Sequence, residues 1–116
     1  MLISIITVVK NDLVRLKKTI SSLNRFYNDK SFEHIIVDGI SSDNTKSFIT
    51  NIQRDNNNII YNNSSDNGIY DAMNKGVKLS RGDFIIFLNA GDKLIIKKNS
   101  IISTLEKFIK TEINII

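Results

Sequence analysis

The 116-residue sequence contains no cysteine, no proline and no tryptophan, and it has a single histidine, His34. Without cysteine the chain has no disulfide bridge, thiolate zinc site or cysteine nucleophile, and it is compatible with a reducing compartment, so we expect a cytoplasmic location. A zinc site lacks its usual cysteine ligands, and the sequence offers no credible Ser-His-Asp catalytic set. His34 falls near the start of a predicted strand, away from the polar strand ends, and is expected to be structural or exposed.

Long apolar runs and the common phosphate-binding motifs are also absent. The opening stretch "MLISIITVVKND" is apolar for only nine residues and follows no basic segment, so it predicts a first strand rather than a membrane span or a secretory signal. No G-x-x-x-x-G-K-[ST], G-x-G-x-x-G or G-x-S-x-G pattern occurs. These absences disfavour P-loop NTPases, Rossmann dinucleotide enzymes and the common hydrolase template.

The composition is that of a globular domain, with 41% hydrophobic and 24% charged residues. The length predicts one domain over residues 1–116. A formal net charge of +4 suits an anionic partner. The lysines and arginines are scattered without interleaved aromatic residues, so we expect no nucleic-acid binding, whereas peripheral association with the inner face of a membrane is compatible with them.

Short apolar runs alternate with segments of helical spacing, which predicts βα units and an open, mostly parallel α/β sheet with helices on both faces. The predicted strands are Ile3 to Val9, "FEHIIVDG" ending at Asp38-Gly39, Ile59 to Tyr61, and "FIIFLN" from Phe84. The unbroken apolar row of the last strand predicts burial on both faces.

Helical spacing separates these strands in each interval. The predicted helices carry Leu13, Leu16, Ile20 and Leu23; Phe48, Ile49 and Ile52; Ile69, Ala72, Met73 and Val77; and Ile101, Leu105 and Phe108 within about Ser100 to Lys110. Asn11 or Asp12 is the predicted N-cap of the first helix. The tail "EINII" predicts the opening of another strand, so we expect the sheet to be incomplete at its C-terminus.

Polar residues follow three of the predicted strands directly: Thr7 and Lys10-Asn11, Asp38, and Asn89 with Asp92. Each of these alone could cap a helix or turn the chain. Because ligands bind beyond the carboxyl ends of the strands in open α/β sheets, their convergence at one edge predicts a binding site. Asp92 is the candidate ligand of a hard divalent cation, Mg²⁺ or Mn²⁺, held together with phosphate oxygens.

Three ordered blocks resemble the family 2 glycosyltransferases of the GT-A fold. They are "SIITVVKN", "IIVDGISSDNT", in which Gly39 and Ile40 depart from the family pattern, and "SSDNGIYDAMNKGVKLSRGDFIIFLNAGD". The third block is similar to colanic acid and capsule polysaccharide glycosyltransferases. Over residues 2 to 95 the resemblance implies a GT-A nucleotide-sugar-binding domain. It also implies metal-dependent, inverting transfer from a nucleotide diphosphate-sugar donor to a polysaccharide or lipid-linked acceptor.

The resemblance also implies roles for single residues in nucleotide-sugar binding. Asp38 matches the base-reading region, and Thr7 and Val8 line the same pocket. Asp66 matches a nucleotide-contacting loop, and Asp92 matches the last Asp of the family's D-x-D motif and is the expected metal ligand.

Asn89 and Gly91 complete the expected donor site. Asn89 could donate to the ribose or accept from a metal-bound water, and Gly91 would let the backbone approach the donor closely. The run Asn89-Ala90-Gly91-Asp92 leaves one carboxylate, and Gly39 replaces the second Asp of the family's "DDGS" segment. The family places its catalytic base downstream of these blocks, so the catalytic residue is unknown. The chain is therefore expected to be the donor-binding N-terminal portion, without the acceptor-binding part.

A non-catalytic nucleotide-binding or interaction module of the same fold is the principal alternative. A response-regulator-like signalling domain would need an acidic pair after the first strand, and Asn11-Asp12 is a poor substitute. The sequence leaves open the nucleotide base, the sugar, the acceptor and the oligomeric state.

Overall fold

A computed structural model of the protein describes the backbone of residues 1–115 and the side chains of residues 1–107. The strands are β1 (Ile3–Val9), β2 (Phe32–Asp38), β3 (Ile59–Asn63) and β4 (Phe84–Phe87). The helices are α1 (Leu13–Ser22), α2 (Thr45–Gln53), α3 (Ile69–Leu79) and α4 (Lys98–Ile115), and a short 3-10 helix spans Asn24–Phe26. The predicted alternation of strands and helices is confirmed.

The four strands form one parallel sheet in the order β3-β2-β1-β4. β1 pairs with β2 along its whole length, from Ile3 opposite Phe32 to Val9 opposite Asp38. From β1 the chain steps outward through β2 to β3 and then crosses back to place β4 on the other side of β1. Right-handed crossovers in opposite directions place helices on opposite faces of the sheet, as the fold class predicted.

The core is divided between the two faces of the sheet. On one face Ile3, Ile5 and Val9 of β1 form a cluster whose helical members are Leu16, Ile20, Ile49 and Ile101. On the other face Ile6 packs with Ala72 of α3 and with Ile35 and Val37 of β2. Successive side chains of β1 point to opposite faces of the sheet, and both faces are covered by apolar residues. The sequence of β1 is therefore an almost continuous apolar run.

The prediction that the last strand is buried on both faces is wrong. β4 lies at the edge of the sheet, where Phe84 and Ile86 are half-buried whereas Ile85 and Phe87 are exposed. Ile85 and Phe87 stand opposite Ser4 and Ile6, on the face that carries α3. α3 packs mainly against β1 and β2, so it leaves this part of β4 uncovered.

The prediction of a further strand at "EINII" is also wrong, because α4 continues through Ile115. The four-residue spacing of Ile101, Leu105, Ile109 and Ile113 in the sequence extends the helical pattern, and no glycine or proline interrupts it. Ile116 lies outside the described residues. None of the helices in the described part of the chain has the length and apolar character that crossing a bilayer requires.

A buried carboxylate fastens the start of β4 to the rest of the sheet. Glu33 accepts hydrogen bonds from Ser4 Oγ at 2.6 Å and from the Arg81 backbone N–H at 2.7 Å, and Arg81 Nε lies 3.3 Å away. Ser4 Oγ also accepts from the Gly82 N–H at 2.9 Å. The sequence "SRGD" is thus the predicted turn from α3 into β4.

We expect Glu33→Ala to lower the free energy of unfolding by about 2–4 kcal/mol, because it leaves the buried Ser4 hydroxyl and Arg81 N–H without their acceptor. Urea denaturation monitored by circular dichroism measures the change. Glu106→Ala, at an exposed position of α4, is the matched control and should stay within about 0.5 kcal/mol of the parent. An equally small effect at Glu33 would contradict the structural role of this carboxylate.

Candidate functional site

A cleft of about 380 Å³ opens at the carboxyl ends of β1 and β4. It is lined by Val8, Val9, Lys10 and Asp12 from β1 and its following loop, by Asp66, Gly68 and Ile69 at the start of α3, and by Asn89 and Ala90 after β4. This is the point where the strand order reverses, so the connections after β1 and β4 diverge to opposite faces of the sheet. Such switch points are the usual ligand sites of open α/β sheets.

The loop after β1 is fixed by the loop after β2. Asn11 donates its backbone N–H to Ser41 Oγ at 2.8 Å, and its side-chain Oδ1 accepts from the Ser42 N–H at 2.6 Å. Asn11 has a φ of 51°, a left-handed conformation that asparagine tolerates better than most residues. The N-cap of α1 is Asp12, which accepts from the Arg15 N–H at 3.3 Å.

Asp38 is fully buried at the end of β2 and is held by three hydrogen bonds. Its Oδ1 accepts from Ser41 N and Oγ at 2.9 and 2.6 Å, and its Oδ2 accepts from the Tyr61 hydroxyl at 2.6 Å. Burial, followed by the hydrogen bond to Asp38, raises the pKa of Tyr61, so the phenol remains a donor. In this conformation Asp38 positions the Ser41 loop and presents no surface to a ligand, and its base-reading role stays a prediction.

Thr7 is likewise buried, and its side chain is hydrogen-bonded within the core. Its Oγ1 lies 2.7 Å from His34 Nε2, and the Tyr27 hydroxyl lies 2.9 Å from His34 Nδ1. Burial lowers the pKa of His34 to about 3, so the imidazole is neutral, donating at one ring nitrogen and accepting at the other. Of the two alternatives expected for His34, structural or exposed, the structure shows the first. Val8, the next residue along β1, lines the cleft, whereas Thr7 does not.

Asn89 to Asp92 form a tight turn at the rim of the cleft. The Asp92 N–H donates to the Asn89 carbonyl at 2.9 Å, and Asp92 Oδ2 accepts from the Asn89 N–H at 3.1 Å. Gly91 has a φ of 101°, as the third position of a type II turn requires. The exposed Asp92 side chain therefore keeps one oxygen, Oδ1, outside the turn.

Thr19 of α1 holds this turn in place, and sequence reasoning missed it. Its buried hydroxyl donates to the Asp92 carbonyl at 2.7 Å and accepts from the Gly91 N–H at 2.9 Å. A signal was present, because Thr19 occupies a core position in helical register with Leu16 and Leu23. A hydroxyl at such a position needs a partner, here supplied by the turn.

The side chain of Asn89 carries an unsatisfied polar atom beside the cleft. Its Oδ1 is buried and has no hydrogen-bond partner among the described residues. An unpaired buried acceptor costs about 1–3 kcal/mol, which a donor group of a bound ligand would recover. Asn89 therefore gives the cleft a position that fits a hydroxyl or another donor.

The carboxylate of Asp66 enters the cleft next to Gly39. Asp66 Oδ1 accepts from the Gly68 N–H at 3.0 Å. A Cβ atom on residue 39 would lie 2.6 Å from Asp66 Oδ2 and 3.4 Å from Lys10 Cδ. Asp66 thus fills the space in which a side chain at position 39 would stand, the position where the resembled family carries its second Asp.

The site offers few oxygen ligands for a divalent metal ion. Among residues with described side chains, no three His, Cys, Asp or Glu residues cluster closely enough to hold a metal ion. Asp92 offers one carboxylate oxygen, and the buried Asn89 Oδ1 is an unsatisfied oxygen of the same turn. Hard cations accept such oxygens and complete their shell with phosphate or water, so these residues fit a metal that arrives with a diphosphate.

The structure brings together some of the predicted site residues and separates others. Val8, Asp66 and Asn89 line the cleft. Gly91 and Asp92 belong to the adjoining turn. Lys10, one of the strand-end residues expected at this edge, also lines the cleft, and Asp12 and Ile69 join the lining without having been assigned to the site from the sequence.

Comparison with known proteins gives a family and a fold. The model of glycosyl transferase family 2 matches residues 4–113. The GalNAc(5)-diNAcBac-PP-undecaprenol beta-1,3-glucosyltransferase of Campylobacter jejuni is 35% identical over 95 residues, which are 80% of this chain and 30% of that enzyme. The chain spans between 25% and 34% of the length of the curated relatives that it matches.

Two solved structures share the fold at low sequence identity. S. aureus TarS 1-349 in complex with UDP-GlcNAc superimposes with a TM-score of 0.76 at 21% identity, covering 91% of this chain and 30% of that one. The mannosyltransferase PcManGT of Pyrobaculum calidifontis, in complex with GDP-Man and Mn²⁺, gives a TM-score of 0.72 at 15% identity, covering 81% and 28%. Both likenesses establish the α/β fold predicted from the sequence.

The buried His34 makes stability depend on pH. Its folded pKa, about 3, lies below the unfolded value near 6.5, so the unfolded chain binds the extra proton and stability is lost as the pH falls below about 6.5. We expect a loss of about 2 kcal/mol between about pH 7 and pH 5 in urea denaturation. His34→Gln, which cannot titrate, should flatten this dependence, and an unchanged pH profile in the variant would assign the effect to other groups.

Ile40 has a φ of 61°, a conformation that is costly for a β-branched side chain. We expect Ile40→Gly to raise the free energy of unfolding by about 1 kcal/mol, because glycine adopts this conformation without a steric penalty. Thermal denaturation measures the gain. Ile95→Gly, at an exposed isoleucine without positive φ, should give no gain. Destabilisation of both variants alike would show that the strain at position 40 is negligible.

Proposed function

Because the chain belongs to glycosyl transferase family 2, we propose that it binds a nucleotide diphosphate-sugar donor in the cleft between β1 and β4. In this proposal it forms the donor-binding part of an inverting glycosyltransferase that builds a polysaccharide or modifies a lipid-linked acceptor. The observation that carries the proposal is the cleft at the reversal of strand order, where Lys10, Asp66 and Asn89 line one space.

The cleft has the size and the mixed lining that a nucleotide requires. Its volume of about 380 Å³ falls within the range of small-molecule sites. Val8 and Ile69 provide apolar wall for a flat ring, and the Lys10 ammonium supplies a positive charge for a diphosphate. Asp66 and Asn89 Oδ1 are acceptors for hydroxyl groups or N–H groups of the ligand.

Asp92, with Asn89, would hold Mg²⁺ or Mn²⁺ together with the donor. Mn²⁺ accompanies GDP-Man in the structure of PcManGT. When bound, such a metal supplies charge neutralisation for the departing diphosphate. The chain's own contribution is orientation, because Thr19 and the Asn89–Asp92 hydrogen bonds fix the turn that presents the Asp92 carboxylate.

Acceptor chemistry is assigned to the larger enzyme of which this chain would be the donor-binding part. An inverting transfer needs a general base for the acceptor hydroxyl, and we assign none of the described carboxylates to that role. The relatives are about three to four times as long as the matched part. One of them is named for an undecaprenol-linked substrate, which supports a lipid-linked acceptor. The proposal places the enzyme at the cytoplasmic face of a membrane.

The test is calorimetric titration of the chain with a panel of nucleoside diphosphates, with and without Mn²⁺. We expect saturable binding of one nucleotide that strengthens with Mn²⁺, and a loss of about tenfold or more in the Mn²⁺-dependent affinity of Asp92→Ala, which removes a charged oxygen ligand. Asp55→Ala, an exposed aspartate at the opposite end of the strands, is the matched control and should bind as the parent does.

Absence of saturable binding by the folded parent chain would contradict the donor site.

The single carboxylate of the Asn89–Asp92 turn favours a second candidate function, a non-catalytic nucleotide-binding module of the same fold. Both candidates bind the nucleotide, but only the enzyme transfers sugar when the chain is part of a longer protein. An assay of sugar transfer by that protein, with Asp92→Ala as the comparison, separates them.

A further inference from the structure

The segment Lys93 to Lys98, "KLIIKK", exposes two isoleucines between lysines. Ile95 is 85% exposed, the largest exposed fraction among the large apolar residues described, and Ile96 is 52% exposed. Single exposed apolar residues are common on proteins and need no explanation. An adjacent pair at the tip of a loop, flanked on both sides by positive charge, is a more specific arrangement.

The backbone holds Ile95 outward. Arg25 donates from Nη2 to the Leu94 carbonyl at 3.0 Å and to the Ile96 carbonyl at 2.6 Å, so both neighbours of Ile95 are fixed. The Leu94 N–H donates to Ser22 Oγ at 3.1 Å, and the Leu94 side chain packs against the core. Because Leu94 anchors the loop, the exposure of Ile95 is built into the fold.

Positive charge surrounds this loop and is mostly uncompensated. Lys17, Lys18 and Lys93 line one shallow depression with Ser21 and Ser22, and Lys97 follows Ile96. None of these four lysines forms an ion pair with a carboxylate among the residues whose side chains are described. The acidic groups nearby are Asp29, which pairs with Lys98 at 3.2 Å, and Asp92, which is held in its turn.

We propose that this surface, formed by Ile95 and Ile96 with Lys17, Lys18, Lys93 and Lys97, docks onto a bilayer containing acidic lipids. Exposed isoleucines can enter the boundary between headgroups and acyl chains, and the four lysines complement the negative headgroups around them. The charge argues for an acidic lipid surface over a neutral protein partner, because an apolar contact between proteins excludes uncompensated lysines from its centre.

The loop connects the carboxyl edge of the sheet with its amino edge. It leaves the cleft edge after Asp92, is held at Leu94 and Ile96 by Ser22 at the end of α1 and by Arg25, and reaches Asp29, which precedes β2, through Lys98. The docking surface therefore extends away from the cleft, and its binding to a bilayer does not rest on the proposed function.

The test is co-sedimentation of the chain with vesicles of phosphatidylglycerol and phosphatidylcholine, compared with vesicles of phosphatidylcholine alone. We expect binding to the acidic vesicles that weakens as salt is raised. Ile95→Gln should reduce the partition coefficient about tenfold or more, and each Lys→Gln exchange at positions 93 and 97 should reduce it about fivefold. Tyr70→Gln and Lys78→Gln, exposed positions of α3 on the opposite face, are matched controls and should bind as the parent does.

Equal binding to neutral and acidic vesicles, no binding at all, or an unchanged partition coefficient for Ile95→Gln would each overturn the proposal. So would a change in self-association of Ile95→Gln without vesicle binding, since the isoleucines would then belong to a contact between protein chains. Nucleotide titration of the same preparations keeps the two proposals separate. Vesicle binding without nucleotide binding would contradict the donor site alone, and the reverse result would contradict the membrane surface alone.

Discussion

The position of β1 between β2 and β4 in a fully parallel sheet is the constraint from which the rest of the molecule follows. Because all strands run the same way, their carboxyl ends meet at one edge, and because β4 returns to the far side of β1, the connections there separate. The cleft is the gap left by that separation. Hydrogen bonds between Asn11 and the Ser41-Ser42 loop, and between Thr19 and the turn after β4, then fix its two sides.

The order and type of the elements could be predicted from the sequence because apolar periodicity reports how many faces of a segment are buried. β1 and β2 have the bounds expected from their apolar runs. The same signal failed at β4, where four apolar residues occupy an edge strand whose outer face α3 does not reach. Apolar periodicity in the sequence indicates which side chains are suited to burial. Whether such a side chain is buried depends on where the helices pack.

The candidate site was predictable to a smaller extent, since a polar residue at the end of a strand has two possible uses. Asn89 and Asp66 reach the cleft. Thr7 and Asp38 instead satisfy buried partners, His34 for one and Ser41 with Tyr61 for the other. These partners are distant in sequence, so the composition of the strand ends could not reveal them. A buried polar group must be paired, and that requirement can draw strand-end residues into the scaffold.

The closeness of Gly39 and Asp66 has a consequence for how sequences of this kind can diverge. A β-carbon at residue 39 would come within 2.6 Å of Asp66 Oδ2, so a side chain at that position requires the Asp66 carboxylate to move. The effect of a substitution at residue 39 therefore depends on which residue stands at 66. Positions 39 and 66 are thus an epistatic pair, whose substitutions are not expected to have additive effects.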